Sequence, residues 1–256
     1  MATEPDGSKL LLGKGKVYFD RFTSAGASTG ERYLGDVSAF SVTTNDEKIS
    51  HYSSSSAAAP LLKEALIRRT AEFALTLHEY TKENLALVLM GEESALAQAS
   101  DSVVDEVVTV VETGRFYKLA FRQVSTVVVQ DDTDTTTYTA GTDYDVDAVT
   151  GRLYIIPGGG IAALDVLHVD YDYAADTSDV VQGGKTSVIE GAIRFIPDPS
   201  TGPSWEVEVW KVSITPDGEL GLIGEQFAAF PIRGKVLDDS VNHPTEPLYR
   251  KILRAA

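Results

Sequence analysis

Alternation of apolar and polar positions dominates this chain. In residues 68–80, RRTAEFALTLHEY, Ala71, Phe73, Leu75 and Leu77 fall on one parity, with Thr70, Glu72, Thr76 and His78 on the other. This period of two predicts a strand with one face on a core and one on water or a partner. Residues 16–21 (KVYFDR) and 32–44 are rich in β-branched and aromatic side chains and read as strands. So do residues 188–196, 205–215 and 226–238, punctuated by the turn-forming runs IPDPSTGP and ITPDGELG. In WEVEVWKVSI (residues 205–214) the apolar parity changes partway. Trp205, Val207 and Val209 are odd, whereas Trp210, Val212 and Ile214 are even. A β-bulge near Trp210 would restore a single core face; the alternative is a strand covered on both faces.

One helix stands out. Thr81 is a good N-cap for KENLALVLM (residues 82–90), and Gly91 follows as a stop. A second helical turn is predicted around APLLKEAL (residues 59–66). Before it lies TNDEKISHYSSSSAAA (residues 44–59), whose serines and alanines cannot form a core alone. The whole excursion, residues 44–67, is long for a compact domain. It reads as an arm that orders against a neighbouring subunit. From residue 125 to 175 short strands alternate with Asp- and Gly-rich turns, predicting an all-β insertion. The remaining residues, 1–124 and 176–256, would form one discontinuous domain. No repeat of 20 to 50 residues runs down the chain.

Composition narrows the function classes. The 256 residues contain no cysteine, which removes disulfides and thiolate chemistry. Asp and Glu number 38 against 22 Lys and Arg, a formal charge of -16. Such a surface repels phosphate backbones, so sequence-specific nucleic-acid binding is not expected, whereas non-specific passage of DNA is compatible with it. No run is apolar enough for a membrane helix, and the first residues lack a signal-peptide layout, so a cytoplasmic site of synthesis is expected.

Candidate chemistry is sparse. GGKT (residues 183–186) ends like a phosphate-binding loop, but the required upstream glycine is Asp179, so a turn is the better reading. Asp143, Asp145 and Asp147 have the spacing that opens a calcium loop. Ala148 stands where the glycine belongs and the closing glutamate is missing. Asp170 and Asp172 read as a solvated strand face. His51, His78, His168 and His243 show no metal-motif spacing, and no serine sits in GxSxG. No catalytic, cofactor-binding or metal residue is predicted, and no enzyme is expected.

The order of phrases carries more. GKVYFDRF, LGDVSAFSVTTNDEKISHYSSSS and RRTAEFALTLHEYTKENLALVLMGE are followed later by EGAIRFIPDPSTGPSWEVEVWKVSITPDGELGLIGEQFAAFPIRGKVLDD. Over residues 12–90 and 183–239 this resembles the tail tube proteins of long-tailed, non-contractile bacteriophages. The resemblance implies a β-sandwich or small barrel with one flanking helix, the inserted β segment standing on the tube exterior. It implies subunits that form rings, usually of six, whose sheets join edge to edge around a lumen for DNA. Partners would be further copies of the chain and tail proteins such as the tape measure, terminator and distal tail proteins, all within the virion tail. The loop and termini of this family reach the adjacent ring; here those are Ser50, His51, Tyr52, Ser53 and Ser54 within residues 44–67, and residues 1–14 and 241–256. An acidic lumen in the family matches, by alternation, Glu72, Glu190, Glu206 and Glu208, with Arg194 interrupting. Two other readings remain. One is a β-sandwich module for attachment to a host or carbohydrate; the other is a tail terminator or hub protein of the same fold that does not stack.

Overall fold

A computed structural model describes residues 6–55, 57–216 and 220–254. The chain is mainly β, with one α-helix among the described residues, and divides into two compact units: Met1–Glu93 with Val181–Ala256, and Ser94–Val180. In chain order the first unit contributes β1 (Gly15–Phe22), β2 (Ser28–Tyr33), β3 (Val37–Tyr52), β4 (Leu61–Leu77) and α1 (Lys82–Val88). The chain leaves through β5 (Glu92–Gln98). It then forms β6 (Asp101–Thr109), β7 (Phe116–Lys118), β8 (Val124–Asp131), β9 (Tyr144–Asp147), β10 (Arg152–Ile155) and β11 (Val166–Tyr173). It returns through β12 (Asp176–Gln182), which pairs with β5, and ends with β13 (Ile189–Pro197), β14 (Trp205–Pro216), β15 (Phe230–Val236) and β16 (Tyr249–Leu253).

The first unit is an antiparallel sheet in the order β2-β1-β13-β14-β15-β4-β3. β14 is long enough to take two partners on one edge: β16 along Trp205–Val209 and β15 along Val212–Pro216. Alternation sends Val17, Phe19, Ala71, Phe73, Leu75, Leu77, Ile189, Ile193, Phe230 and Ile232 into one core, with Leu87 of α1 beside them. Each large side chain buried there contributes about 1.5–3 kcal/mol. Glycines in two central strands let phenylalanine rings from neighbouring strands cover them. A Cβ on Gly191 would lie 2.5 Å from the Phe19 ring, and one on Gly234 would lie 2.4 Å from the Phe73 ring.

The bulge expected near Trp210 is present. Gly191 pairs with Val212 but Ile193 pairs with Val209, so Trp210 and Lys211 together oppose Ala192. Val207, Val209, Val212 and Ile214 consequently share the core. Trp210 is turned out of it; its ring stacks on His243 at 3.7 Å and its N–H donates to the Glu246 carbonyl at 2.8 Å.

Three expectations need correction. Residues 59–66 are not helical: Leu61 to Leu66 belong to β4, which pairs with β3 from Val37↔Leu77 out to Tyr52↔Leu61. A short helical stretch is marginal alone, and a continuous ladder outcompetes it. The serine-rich arm is therefore the distal half of a β-hairpin. The helix stop is not Gly91 either. Met90 takes the left-handed position (φ 49), and the Gly91 N–H donates to the Ala86 carbonyl at 2.7 Å. Gly91 serves a close approach, since a Cβ there would be 2.9 Å from the Gln182 carbonyl oxygen. Thr81 does cap the helix, its hydroxyl accepting from the Asn84 N–H at 3.2 Å.

The third correction concerns the insertion, which begins at Ser94 rather than at residue 125, and ends at Val180. Its two sheets, β7-β10-β9 and β6-β11-β8, supply a separate core. Val108, Val110 and Leu119 belong to that core together with Val129, Leu153, Ile155, Leu167 and Val169. The start of the Asp- and Gly-rich run at residue 125 therefore falls inside this unit and does not mark its boundary.

Candidate functional site: a charged sheet face and a projecting hairpin

Across the first unit's sheet, opposite the core, the register aligns polar residues in rows. One row reads Glu190, Ser213, Lys235, Glu72 and Thr43 on β13, β14, β15, β4 and β3. Another reads Tyr33, Tyr18, Arg194, Glu208 and Arg250 on β2, β1, β13, β14 and β16. The bulge keeps both rows on one face, so the four glutamates singled out by alternation share it: Glu72, Glu190, Glu206 and Glu208.

Their surroundings differ sharply. Glu72 is exposed. Glu190 is half-buried and pairs with Lys211 at 3.0 Å. Glu206 and Glu208 lie in an arginine network, with side-chain exposures of 12% and 8%. Glu208 bonds Arg194 at 3.0 Å and Arg250 Nε at 2.5 Å; Glu206 lies 3.3 Å from both Arg194 and Arg254. Arg194 also binds Glu31 at 2.7 Å, and Arg250 reaches Glu246 at 3.3 Å. Burial pulls the Arg194 pKa down, but Glu31, Glu208 and Glu206 outweigh it and the net shift is upward. The Arg250 pKa is raised by its hydrogen bond to Glu208. A uniformly acidic face is thus not what folds here. Acid and base alternate between neighbouring strands, because a carboxylate this enclosed is stable only beside a cation. Arg194, expected as an interrupter, is instead a hub of the network. Arg250 and Arg254 went unread because β16 follows a long run with no strong alternation.

The second feature is the β3–β4 hairpin. Beyond Ala71, β4 has no strand neighbour among the described residues except β3. The two continue as a ribbon from Asn45↔Thr70 to Tyr52↔Leu61, a reach of about 27 Å at roughly 3.4 Å per residue. It is held by Arg69–Asp46 at 2.7 Å and Lys48–Glu64 at 3.1 Å. Arg69 holds the Asp46 carboxyl below its ordinary pKa through that hydrogen bond. Large apolar side chains nevertheless face solvent: Ile49, Tyr52, Leu61, Leu62, Leu66 and Ile67 are each at least half exposed. Ser50, His51 and Tyr52 end β3, while Ser53 and Ser54 begin the turn, where the Ser53 N–H donates to the Pro60 carbonyl at 2.8 Å. Residues 1–5 and 255–256 of the expected terminal arms, and Ser56, lie outside the described residues.

GGKT forms a turn whose Thr186 N–H donates to the Met90 carbonyl at 2.9 Å. Asp143, Asp145 and Asp147 do not converge: Asp143 accepts from the N–H groups of Thr139 and Gly160, and Asp147 accepts from Thr150 and Arg152. Asp170 and Asp172 hold β-bulges in β6 and β8 through the Asp105 N–H and the Thr126 hydroxyl. Two histidines pair with carboxylates, His243 with Asp239 and His168 with Asp134, each at 2.7 Å. No helix among the described residues is long and apolar enough to cross a membrane.

No curated protein matches the chain. A family profile matches residues 10–248, which covers β1 to β15 and all of the second unit but not β16. On that match the chain belongs to the family described as "Protein of unknown function UCP028589".

Proposed function

We propose that this protein is a structural subunit of a phage tail tube, assembling as stacked rings around a passage for DNA. The observation that carries this reading is the projecting hairpin. A two-stranded ribbon is at best marginally stable alone, and this one exposes six large apolar side chains. Covering each on a second copy would contribute roughly 1.5–3 kcal/mol. The main sheet adds a second reason, since β2 and β3 stand at its two ends as open edges. Edge-to-edge joining of copies in a ring removes such edges. The charged face would then line the passage, with its arginines held by carboxylates and so less available to phosphate. The second unit, with its own core, is an addition that assembly can carry without disturbing the sheet.

Negative-stain electron microscopy of concentrated protein, with size-exclusion chromatography, tests the proposal. Hollow tubes or stacked rings are expected. Rings that never stack would favour a terminator or hub role, and subunits that stay monomeric after long incubation at high concentration would refute the tube reading.

A further inference from the structure

The second unit brings together three side chains that lie far apart in sequence. His168 is on β11, the central strand of β6-β11-β8, opposite Val107 of β6 and Gln130 of β8. Asp105 sits on the β6 bulge, with φ 58 and its N–H tied to the Asp170 carboxylate at 2.8 Å. Asp134 lies in the turn after β8, where the Asp131 carboxylate accepts from the N–H groups of Thr135 and Thr136. One donor atom from each of Asp105, Asp134 and His168 lies within 4.8 Å of the other two.

An imidazole needs only one carboxylate as a partner, and Asp134 already supplies it at 2.7 Å. Asp105 is the surplus group. Its carboxylate makes no hydrogen bond or ion pair among the described residues, yet it converges on the same ring. Asp132 adds further negative field at His168, and no lysine or arginine forms an ion pair with any of the three ligand residues among the described residues. By contrast, His243 with Asp239 is a pair of the same length, without membership of such a three-residue group.

We propose that Asp105, Asp134 and His168 form a binding site for a divalent transition-metal ion of the zinc class. One imidazole nitrogen and two carboxylate oxygens suit such an ion, whereas magnesium and calcium favour oxygen ligands alone and copper(I) favours sulfur. Three protein ligands leave positions for water, and the ion would tie the β6 bulge, the turn after β8 and β11 together. His168 would release Asp134 as a hydrogen-bond acceptor and both would turn to the metal. Sequence spacing cannot reveal this set because its members come from three strands or turns joined only by sheet register.

Isothermal titration of the full chain with zinc chloride tests the site, with unfolding midpoints measured in zinc and in chelator. One zinc per chain is expected, with a midpoint that rises in zinc and falls back in chelator. His168→Gln and Asp105→Asn should each weaken zinc binding about tenfold or more, a loss no smaller than outer-shell substitutions produce. His243→Gln should bind as the parent does, and magnesium should not replace zinc. Circular dichroism of the metal-free variants checks that they remain folded; Asp105→Asn, on the surface, is the variant on which the conclusion rests. Absence of zinc binding to the parent chain overturns the proposal. So does zinc binding that survives both substitutions, or equal binding of magnesium, because either would reduce the site to general acidity.

Discussion

Glu208 offers the sharpest test of the charged face. Its side chain is 8% exposed and bonds Arg194 at 3.0 Å and Arg250 at 2.5 Å. Glu208→Gln keeps the shape, removes the charge and points an amide donor at a guanidinium donor. Hydrogen bonds to charged groups are worth about 1.5–3 kcal/mol each, and breaking a buried pair costs about 3–5 kcal/mol. The arginine side chains, however, are 38% and 42% exposed, and Glu31, Glu206 and Glu246 remain as partners. Water and those carboxylates recover part of the loss, leaving about 2–3 kcal/mol. At roughly 2–4 °C per kcal/mol, the first unit's unfolding midpoint should fall by about 5–10 °C. Glu72→Gln, on the same face but exposed, should stay within about 0.5 kcal/mol of the parent. Thermal and urea unfolding followed by circular dichroism measure both. Equal stability of Glu208→Gln and the parent would refute the claim that this face is knit by buried ion pairs. An equal loss in both variants would refute the distinction between enclosed and exposed acids.

Three further outcomes follow from the fold. Deleting residues 50–59 leaves residues 60–64 to close the Ile49↔Ala65 pair and should change subunit stability by no more than about 1 kcal/mol, because the described residues of that segment are largely exposed, yet on the proposed tube assembly it should abolish ring stacking. Tubes of normal length seen by electron microscopy would refute the contact role. Gly234→Ala places a methyl 2.2 Å from the Ser213 carbonyl oxygen and 2.4 Å from the Phe73 ring, so a loss of about 2–3 kcal/mol is expected in urea, and an unchanged midpoint would refute this close packing. The hydrogen bond from the Thr150 hydroxyl, followed by that from Arg152, holds the Asp147 carboxyl at about 2 against an ordinary 3.8. A lowered folded pKa means the carboxylate favours the fold above about pH 4, and this contribution is lost as pH falls through 2. Asp147→Asn should therefore flatten the second unit's acid unfolding curve between pH 4 and 2, and an unaltered curve would place the acid sensitivity elsewhere.

Alternation alone placed Ala71, Phe73, Leu75 and Leu77 in the core, and the parity change in WEVEVWKVSI located the bulge at Trp210 and Lys211. Both are local consequences of a period of two meeting one buried face, and side chains two residues apart carry that information. The capping of α1 by Thr81 was legible for the same reason, as was the common face of Glu72, Glu190, Glu206 and Glu208. What those acids meet was not legible. Arg194, Arg250 and Arg254 arrive on other strands, and only the register β13-β14-β16 turns a row of glutamates into an ion-pair network. The same limit hid the first strand of the second unit, since β6 has its meaning only beside β11. It also misassigned residues 59–66, whose helical propensity is a weak local preference overridden by sixteen residues of ladder on β3. Local pattern decides which face of a strand is apolar; pairing between distant strands decides which charges become neighbours, because the hydrogen bonds that set register join residues remote in sequence.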